Sequence, residues 1–367
     1  MLRNMSLFKQ ALLAISAITL TFPLFWSCNH SRPKYSPPRF CLERTGKFEI
    51  ISQPLLWNRT NGIHIYDNFL AVIAYKQHEG TATWVHLFNK DGKALGDFVV
   101  AGRGPLELTQ VEWIVYHDRY MELYSKLGRK KIVVDLSTLA NNPQKAITEE
   151  KLDISNDVRF LYPTYGENIL SYNLLAPSKK ELSRLLLLNV QGDTLSSDSW
   201  TPYEDDNLKV RFLMCAYSET AISPDSRHFA IASRKGAILE MYSLSDNNIT
   251  RESVEYYIKP DIAMSGNSLI SSENEISGFN FLYARNNYLL TAYDGETRIK
   301  DKSNLKFKKI AVFDWEGKAW LLVRTDYRIE SITYDKASGI IYAIVENLKG
   351  ESFIGRLSSL DLETLLP

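Results

Sequence analysis

The feature that most limits what this chain can fold into is a repeat. Short apolar runs, rich in Ile, Val, Leu, Tyr and Phe and parted by Gly, Asn and Asp, recur along it. One set is Phe69–Tyr75, Tyr120–Ser125, Asn168–Leu174, His228–Ser233, Tyr288–Tyr293 and Gly339–Val345, whose starts lie 51, 48, 60, 60 and 51 residues apart. A second set follows these: Thr83–Phe88, Lys131–Leu136, Arg184–Leu188, Ile238–Tyr242, Lys308–Phe313 and Ser352–Leu357. A third precedes them: Gly62–Tyr66, Val111–Tyr116, Val158–Tyr162, Tyr217–Ile222, Gly278–Tyr283 and Glu330–Tyr334. Runs of this length and composition read as strands. Six triplets at a period near fifty predict an all-β chain, a six-bladed β-propeller of four-stranded antiparallel blades.

An outer fourth strand is legible after five triplets, for example Leu95–Val100 and Val254–Ile258; after the sixth only residues 358–367 remain. Phe48–Ser52 precedes the first blade and has no blade of its own. It is expected to close the ring by pairing into blade six, which removes an exposed sheet edge. No long amphipathic helix is expected. Three turns share one form, a polar residue ending a strand and Gly three positions on: Asn89 to Gly92, Asn189 to Gly192 and Asp314 to Gly317. Gly supplies the positive φ of a tight hairpin. Ser223-Pro224-Asp225 is a related turn joining the first two strands of blade four.

The first 27 residues have the layout of a secretory signal. Arg3 and Lys9 precede an apolar stretch from Ala11 to Leu20, extended to Trp26, and then Ser27-Cys28. The apolar run is short for a membrane span, and a small residue before Cys suits cleavage. This segment resembles a bacterial lipoprotein signal, which implies cleavage before Cys28 and a lipid on Cys28. Residues 28–39 carry three prolines and no apolar cluster, so they are expected to be a tether, with the propeller over 40–367. The tether has no acidic run, which favours an anchor facing the periplasm. Removing the signal takes two of the 43 basic residues and none of the 43 acidic ones, leaving a near-neutral body. A neutral body argues against nucleic acid as a partner. Cys41 and Cys215 show no metal or redox spacing.

The stretch Ala101-Gly102-Arg103-Gly104-Pro105-Leu106-Glu107, the turns ending in Gly and the Ser-Pro-Asp turn together resemble bacterial TolB-like six-bladed β-propeller lipoproteins, with Leu106 where related sequences often carry Gly. The resemblance spans about residues 40–367 and the lipidated start. It implies an envelope protein that binds proteins or small ligands, and it transfers no catalytic residues.

Local motifs for chemistry are absent. Gly102 to Pro105 does not make a phosphate loop, no G-x-S-x-G occurs, and the six His residues form no local metal pair. The repeat itself supplies a constellation. The positions at the start of each inner strand are Asn61, Glu112, Arg159, Glu219, Asn280 and Glu330, all polar among apolar neighbours. Inner strands line a propeller's channel, so these side chains are expected at one channel mouth, with Arg103 and Glu107 as further candidates. Carboxylates in alternate blades could hold Ca²⁺ or Mg²⁺, while Arg159 suggests an internal ion pair or an anionic ligand. Tyr162, Tyr165, Tyr172 and Tyr203, near turns of blade three, are expected to be exposed aromatics. The charged loop Asp294 to Ser303 is a possible partner-binding excursion.

These readings point to a non-enzymatic, lipid-anchored binding propeller of the bacterial cell envelope, acting as a monomer on an envelope protein or a small extracellular ligand. The alternative is a propeller enzyme, a hydrolase or lyase with a divalent metal at the channel mouth.

Overall fold

The computed structural model describes residues 34–367 except 58, 79, 118, 153–157, 165–166, 174–182, 204–207, 267, 272–274, 297–306, 359–361 and 363–367. The expected signal and the lipid site at Cys28 lie outside the described residues, as do Tyr165 and most of the charged loop.

The N-terminal segment carries β1 (Leu42–Thr45) and β2 (Glu49–Ile50). Blade one is β3 (Arg59–Tyr66), β4 (Phe69–His78), β5 (Thr81–Asn89) and β6 (Ala94–Val100). Blade two is β7 (Trp113–His117), β8 (Tyr120–Ser125), β9 (Lys130–Asp135) and β10 (Ile147–Lys151), with short helices α1 (Leu136–Leu139) and α2 (Pro143–Ala146) before its last strand. Blade three is β11 (Val158–Pro163), β12 (Ile169–Asn173), β13 (Leu185–Leu188) and β14 (Thr194–Asp198). Helix α3 (Leu208–Ala216) leads into blade four: β15 (Ser218–Ile222), β16 (His228–Ser233), β17 (Ala237–Leu244) and β18 (Ile249–Ile258). A hairpin, β19 (Ile262–Ser265) and β20 (Ser268–Ser271), precedes blade five: β21 (Phe279–Ala284), β22 (Tyr288–Tyr293), β23 (Lys309–Asp314) and β24 (Ala319–Arg324). Blade six is β25 (Arg328–Asp335), β26 (Ile340–Glu346), β27 (Ser352–Leu357) and, from the start of the chain, β2.

The fold is the expected ring of six four-stranded antiparallel blades, closed as expected by Glu49 pairing with Arg356 and Ile50 with Gly355. A further strand was not expected. Leu42–Thr45 runs parallel to β24 and gives blade five a fifth strand. The segment before it also lies on the propeller. Ser36 N donates to Tyr256 O at 2.9 Å, Tyr35 meets the Tyr256 ring edge-on, and Phe40 packs on Tyr293 and Phe313. The tether expected over 28–39 is therefore docked from Tyr35 onward.

The apolar core lies between neighbouring sheets, and strand periodicity explains how. On β16, Phe229 and Ile231 pack into the cluster shared with blade three, which includes Leu170, Tyr172 and Leu187. The alternate residues Ala230 and Ala232 join the cluster shared with blade five, with Phe279, Leu289 and Phe313. Alternation puts successive side chains on opposite faces, and here both faces are covered. Tyr162 and Tyr172 obey the same rule, Tyr203 is buried from the connection after blade three, and all three correct the expectation of exposure: they are 7%, 0% and 7% exposed. Burial between blades needs polar partners for their hydroxyls, and two are evident: Tyr172 donates to Cys215 O at 3.0 Å, and Tyr162 bonds Thr220 Oγ1 at 2.7 Å. Cys41 and Cys215 are free thiols, one exposed and one buried.

The shared turn has a common mechanism. Asn89 Oδ1 accepts from Asp91 N and Lys93 N at 3.1 and 2.8 Å; Asn189 and Asp314 repeat the pattern at 3.0 and 2.8 Å. Gly192 and Gly317 take φ of 86° and 87°, where a side chain is strained. Asn347 to Gly350 is a fourth copy that the sequence reading passed over.

Candidate functional site

Strand direction sorts the connections by face. In each blade the first-to-second and third-to-fourth turns fall at one end of the ring. The second-to-third turns and the blade-to-blade crossovers fall at the other, here termed the crossover face. The inner strands β3, β7, β11, β15, β21 and β25 start at the crossover face, so the six polar positions read from the repeat belong there.

Four of the six are β-bulges. The register of the inner strand against its neighbour shifts between Thr60 and Gly62, Val158 and Phe160, Phe279 and Phe281, and Ile329 and Ser331. The residues skipped are Asn61, Arg159, Asn280 and Glu330. A bulge kinks the strand and re-aims its side chain. In blade four Glu219 stays in register opposite Ala232, and in blade two Glu112 sits just ahead of β7, its N–H bonded to Tyr124 O.

Asn61 and Arg159 donate to the next blade, Asn280 accepts from the blade before it, and other polar side chains bridge the remaining junctions. Asn61 Nδ2 donates to Val111 O at 2.9 Å, from blade one to the crossover entering blade two. Lys126 Nζ donates to Val158 O at 2.7 Å, from blade two to blade three. Arg159 donates to Ser218 O at 3.1 Å, from three to four. Arg234 donates to Asn280 Oδ1 at 2.7 Å, from four to five. The Tyr283 hydroxyl donates to Tyr334 O at 3.4 Å, from five to six. Ser331 Oγ and Thr333 Oγ1 accept from Ile63 N and Ile65 N at 3.1 and 3.2 Å, from six back to one. Inner strands have one edge without a partner strand, and its backbone groups must be satisfied otherwise. Polar side chains do that at five of the six junctions described; the bond from four to five runs between two side chains.

The structure joins Glu219 and Asn280 through Arg234, whose guanidinium lies 3.6 Å from Glu219. Burial raises the Glu219 pKa, offset by Arg234 and then Arg159. Glu330 is raised by burial and by neighbouring Glu346, against the pull of Arg328, which pairs with Glu346 at 3.0 Å. Burial also raises Glu112, although its carboxylate accepts from Lys126 N and Leu127 N at 3.0 and 3.4 Å. The three glutamates thus have separate partners. Among the described residues no group of three or more His, Cys, Asp or Glu is arranged to hold a metal ion.

Arg103 and Glu107 lie in the crossover from blade one to blade two. Glu107 Oε2 accepts from Gly104 N at 2.7 Å, and a Cβ on Gly102 would fall 2.0 Å from that oxygen. Leu106 N donates to Glu149 Oε2 and Lys130 Nζ donates to Gly104 O, each at 2.7 Å. Glu149 is on the outer strand of its blade, so this loop is pinned to the rim and Arg103 is exposed there. Leu106 has φ 57°, a left-handed conformation that favours Gly.

Sequence reasoning missed Lys126 and Arg234. Both directly follow a buried Ser that ends the second strand, in Ser125-Lys126 and Ser233-Arg234, and that repeated pair was the available signal. It also missed the aromatic stack of His64 on Tyr116, with centroids 4.0 Å apart and planes 11° from parallel. Burial, and then the Arg285 charge, lower the His64 pKa from 6.5 to about 3. His64 is therefore neutral when folded and protonates when unfolded. Its contribution is complete above pH 6.5 and is lost as pH falls toward 3. Between pH 7 and pH 5 the loss is about 2 kcal/mol. His64→Phe keeps the stack and should shallow that pH slope by this amount in urea unfolding; equal slopes in parent and variant would refute the assignment.

The crossover face is also the elaborated one. It carries the connections 101–112, 199–217 with α3, and 259–278 with β19 and β20. Among the described residues the three most exposed large apolar side chains, Leu56 at 82%, Leu127 at 73% and Leu348 at 68%, lie there too, with Leu106 and Ile270. On the opposite face the most exposed is Val190 at 57%.

No family model matches the chain, and no curated protein matches it. Solved structures do. A candidate exported protein from Bacteroides fragilis aligns over 87% of this chain and 98% of its own, at 11% identity and a TM-score of 0.53. The Cps50 (Swd1) β-propeller domain of Myceliophteria thermophila aligns over 85% and 99%, at 9% identity and a TM-score of 0.47. At such identities the likeness to the Bacteroides protein shows a shared fold alone, which the sheet topology makes a six-bladed β-propeller.

Proposed function

We propose that this chain is a non-enzymatic docking propeller of the bacterial envelope, tethered by a lipid on Cys28 and of the TolB-like kind, whose crossover face binds a partner protein. The observation that carries the reading is the asymmetry of that face. Exposed apolar side chains scattered singly are ordinary. Here the most exposed ones cluster by face, with Leu348 on blade six, Leu56 on the crossover from six to one, and Leu106 and Leu127 flanking blade two. Long connections on a rigid scaffold are where binding residues concentrate. Asn61, Arg159 and Asn280 are engaged in joining blades, which favours the loop surface as the binding element. The exported neighbour and the N-terminal signal agree with an envelope location.

Leu127→Asp and Leu348→Asp should leave the melting temperature within about 2 °C, as surface changes do, while abolishing cross-linking to the envelope partner captured by the parent. Retained cross-linking in the double variant would remove the crossover face from consideration. Metabolic labelling with an alkyne fatty acid should mark the parent and not Cys28→Ala; a labelled variant would overturn the lipid assignment.

A further inference from the structure

The segment before β1 forms one wall of a cleft. Residues 36–39 line it from one side, and it encloses about 360 Å³. The other walls are Glu255 and Tyr257, on the outer strand of blade four, and Glu316, Gly317 and Lys318, in the last turn of blade five. Two hydrogen bonds hold the walls together. Ser36 N donates to Tyr256 O at 2.9 Å, and Ser253 Oγ donates to Glu316 O at 3.3 Å. Gly317 permits the close approach of the acid: a Cβ there would fall 2.6 Å from Glu255 Cγ.

The Glu255 side chain is half-buried and has no hydrogen-bond or ion-pair partner among the described residues. Burial raises its pKa, and the Asp314 charge adds to the rise. A carboxylate so placed favours a cation. Two cations line the same cleft, and neither pairs with it. The Lys318 ammonium lies over the Trp320 ring, 3.7 Å from its centre. The Arg39 side chain is exposed and likewise has no partner among the described residues. An unpaired acid and an unpaired base therefore face one cleft without reaching each other. With Glu316 and Lys318 the lining carries two acidic and two basic side chains, so it is neutral overall.

We propose that this cleft binds a small zwitterion, its primary ammonium on Glu255 and its oxyanion on Arg39. The separated pair of charges decides the class. A simple cation would leave Arg39 unanswered, and a simple anion would leave Glu255 unanswered. An ammonium brings three N–H donors to a carboxylate that only accepts. A guanidinium takes carboxylate and phosphate alike, so a free amino acid and the ethanolamine phosphodiester of a lipid headgroup share the required chemistry. Because residues 36–39 are one wall, the site exists only while the N-terminal segment is docked. It uses none of the exposed leucines of the crossover face, and either site can fail without the other.

Calorimetric titration of the purified full-length protein at pH 7 and constant ionic strength tests it, with glycerophosphoethanolamine and β-alanine as probes. At least one should bind saturably, and about tenfold more weakly to Glu255→Gln and to Arg39→Gln. Tighter binding of glycerophosphoethanolamine assigns a lipid headgroup, and tighter binding of β-alanine a free amino acid. The trimethylated counterpart of the better probe, which has no N–H donors, should bind about tenfold more weakly. Both substitutions are at accessible side chains and should leave the melting temperature within about 2 °C. The proposal is overturned if neither probe saturates by about 100 mM, if either variant keeps the parent affinity, or if the trimethylated compound binds as tightly as the primary amine.

Discussion

Glu240→Gln should destabilise the propeller by about 3–5 kcal/mol, more than any surface change, because it leaves Arg184 buried with its charge uncompensated. Arg184 is fully buried, and its guanidinium grips Glu240 through two bonds of 2.6 and 2.8 Å between blades three and four. The Tyr242 hydroxyl donates to the same carboxylate at 2.9 Å, and the guanidinium lies 5.4 Å from the Tyr172 ring centre. Burial pulls the Arg184 pKa down, and the Glu240 carboxylate more than offsets this and raises it. Arg184→Met should cost a similar amount by stranding the carboxylate. The pair itself is worth little against an apolar replacement, since its desolvation opposes its attraction. Arg184→Met combined with Glu240→Leu should therefore regain most of the loss. Urea midpoints for Arg184→Met, Glu240→Leu and the double measure the coupling. Single variants within about 1 kcal/mol of the parent would mean that solvent reaches the pair.

The second large effect concerns ring closure. Removing residues 1–34 should leave the melting temperature unchanged, whereas removing residues 1–52 should cost at least about 3–5 kcal/mol, the usual penalty for losing one large buried aromatic such as Phe48. Phe48 packs against Gly355, within 3.1 Å of where a Cβ would sit, and β2 covers the outer edge of β27. The longer deletion also uncovers the edge of β24 that β1 occupies. Two open edges invite pairing between chains, so size-exclusion chromatography should show oligomers. A monomer with the parent midpoint would show that the ring closes without the N-terminal strands.

The strands that were legible share a cause. Phe229, Ala230, Ile231 and Ala232 read as a strand because β-rich apolar runs between turn residues are a local signal, and Phe48–Ser52 read as the closing strand because the count of outer strands was one short. β1 was missed because Leu42-Glu43-Arg44-Thr45 is mostly exposed and carries no apolar alternation. It is held by backbone bonds to β24, which no side-chain pattern reports. Helix α3 was missed because nine residues make too short a periodic window.

The candidate site divides along the same line. That Asn61, Glu112, Arg159, Glu219, Asn280 and Glu330 are equivalent positions at the head of the inner strands was determined by the sequence alone, through the period of the repeat. That Asn61, Arg159, Asn280 and Glu330 are bulged, that Arg159 reaches Ser218 O and that Arg234 joins Glu219 to Asn280 was decided by the tertiary structure. Alternation and turn chemistry are written within a few residues. The atom that a polar side chain meets across a blade junction lies 32 to 268 residues away in the chain. Only packing brings it near.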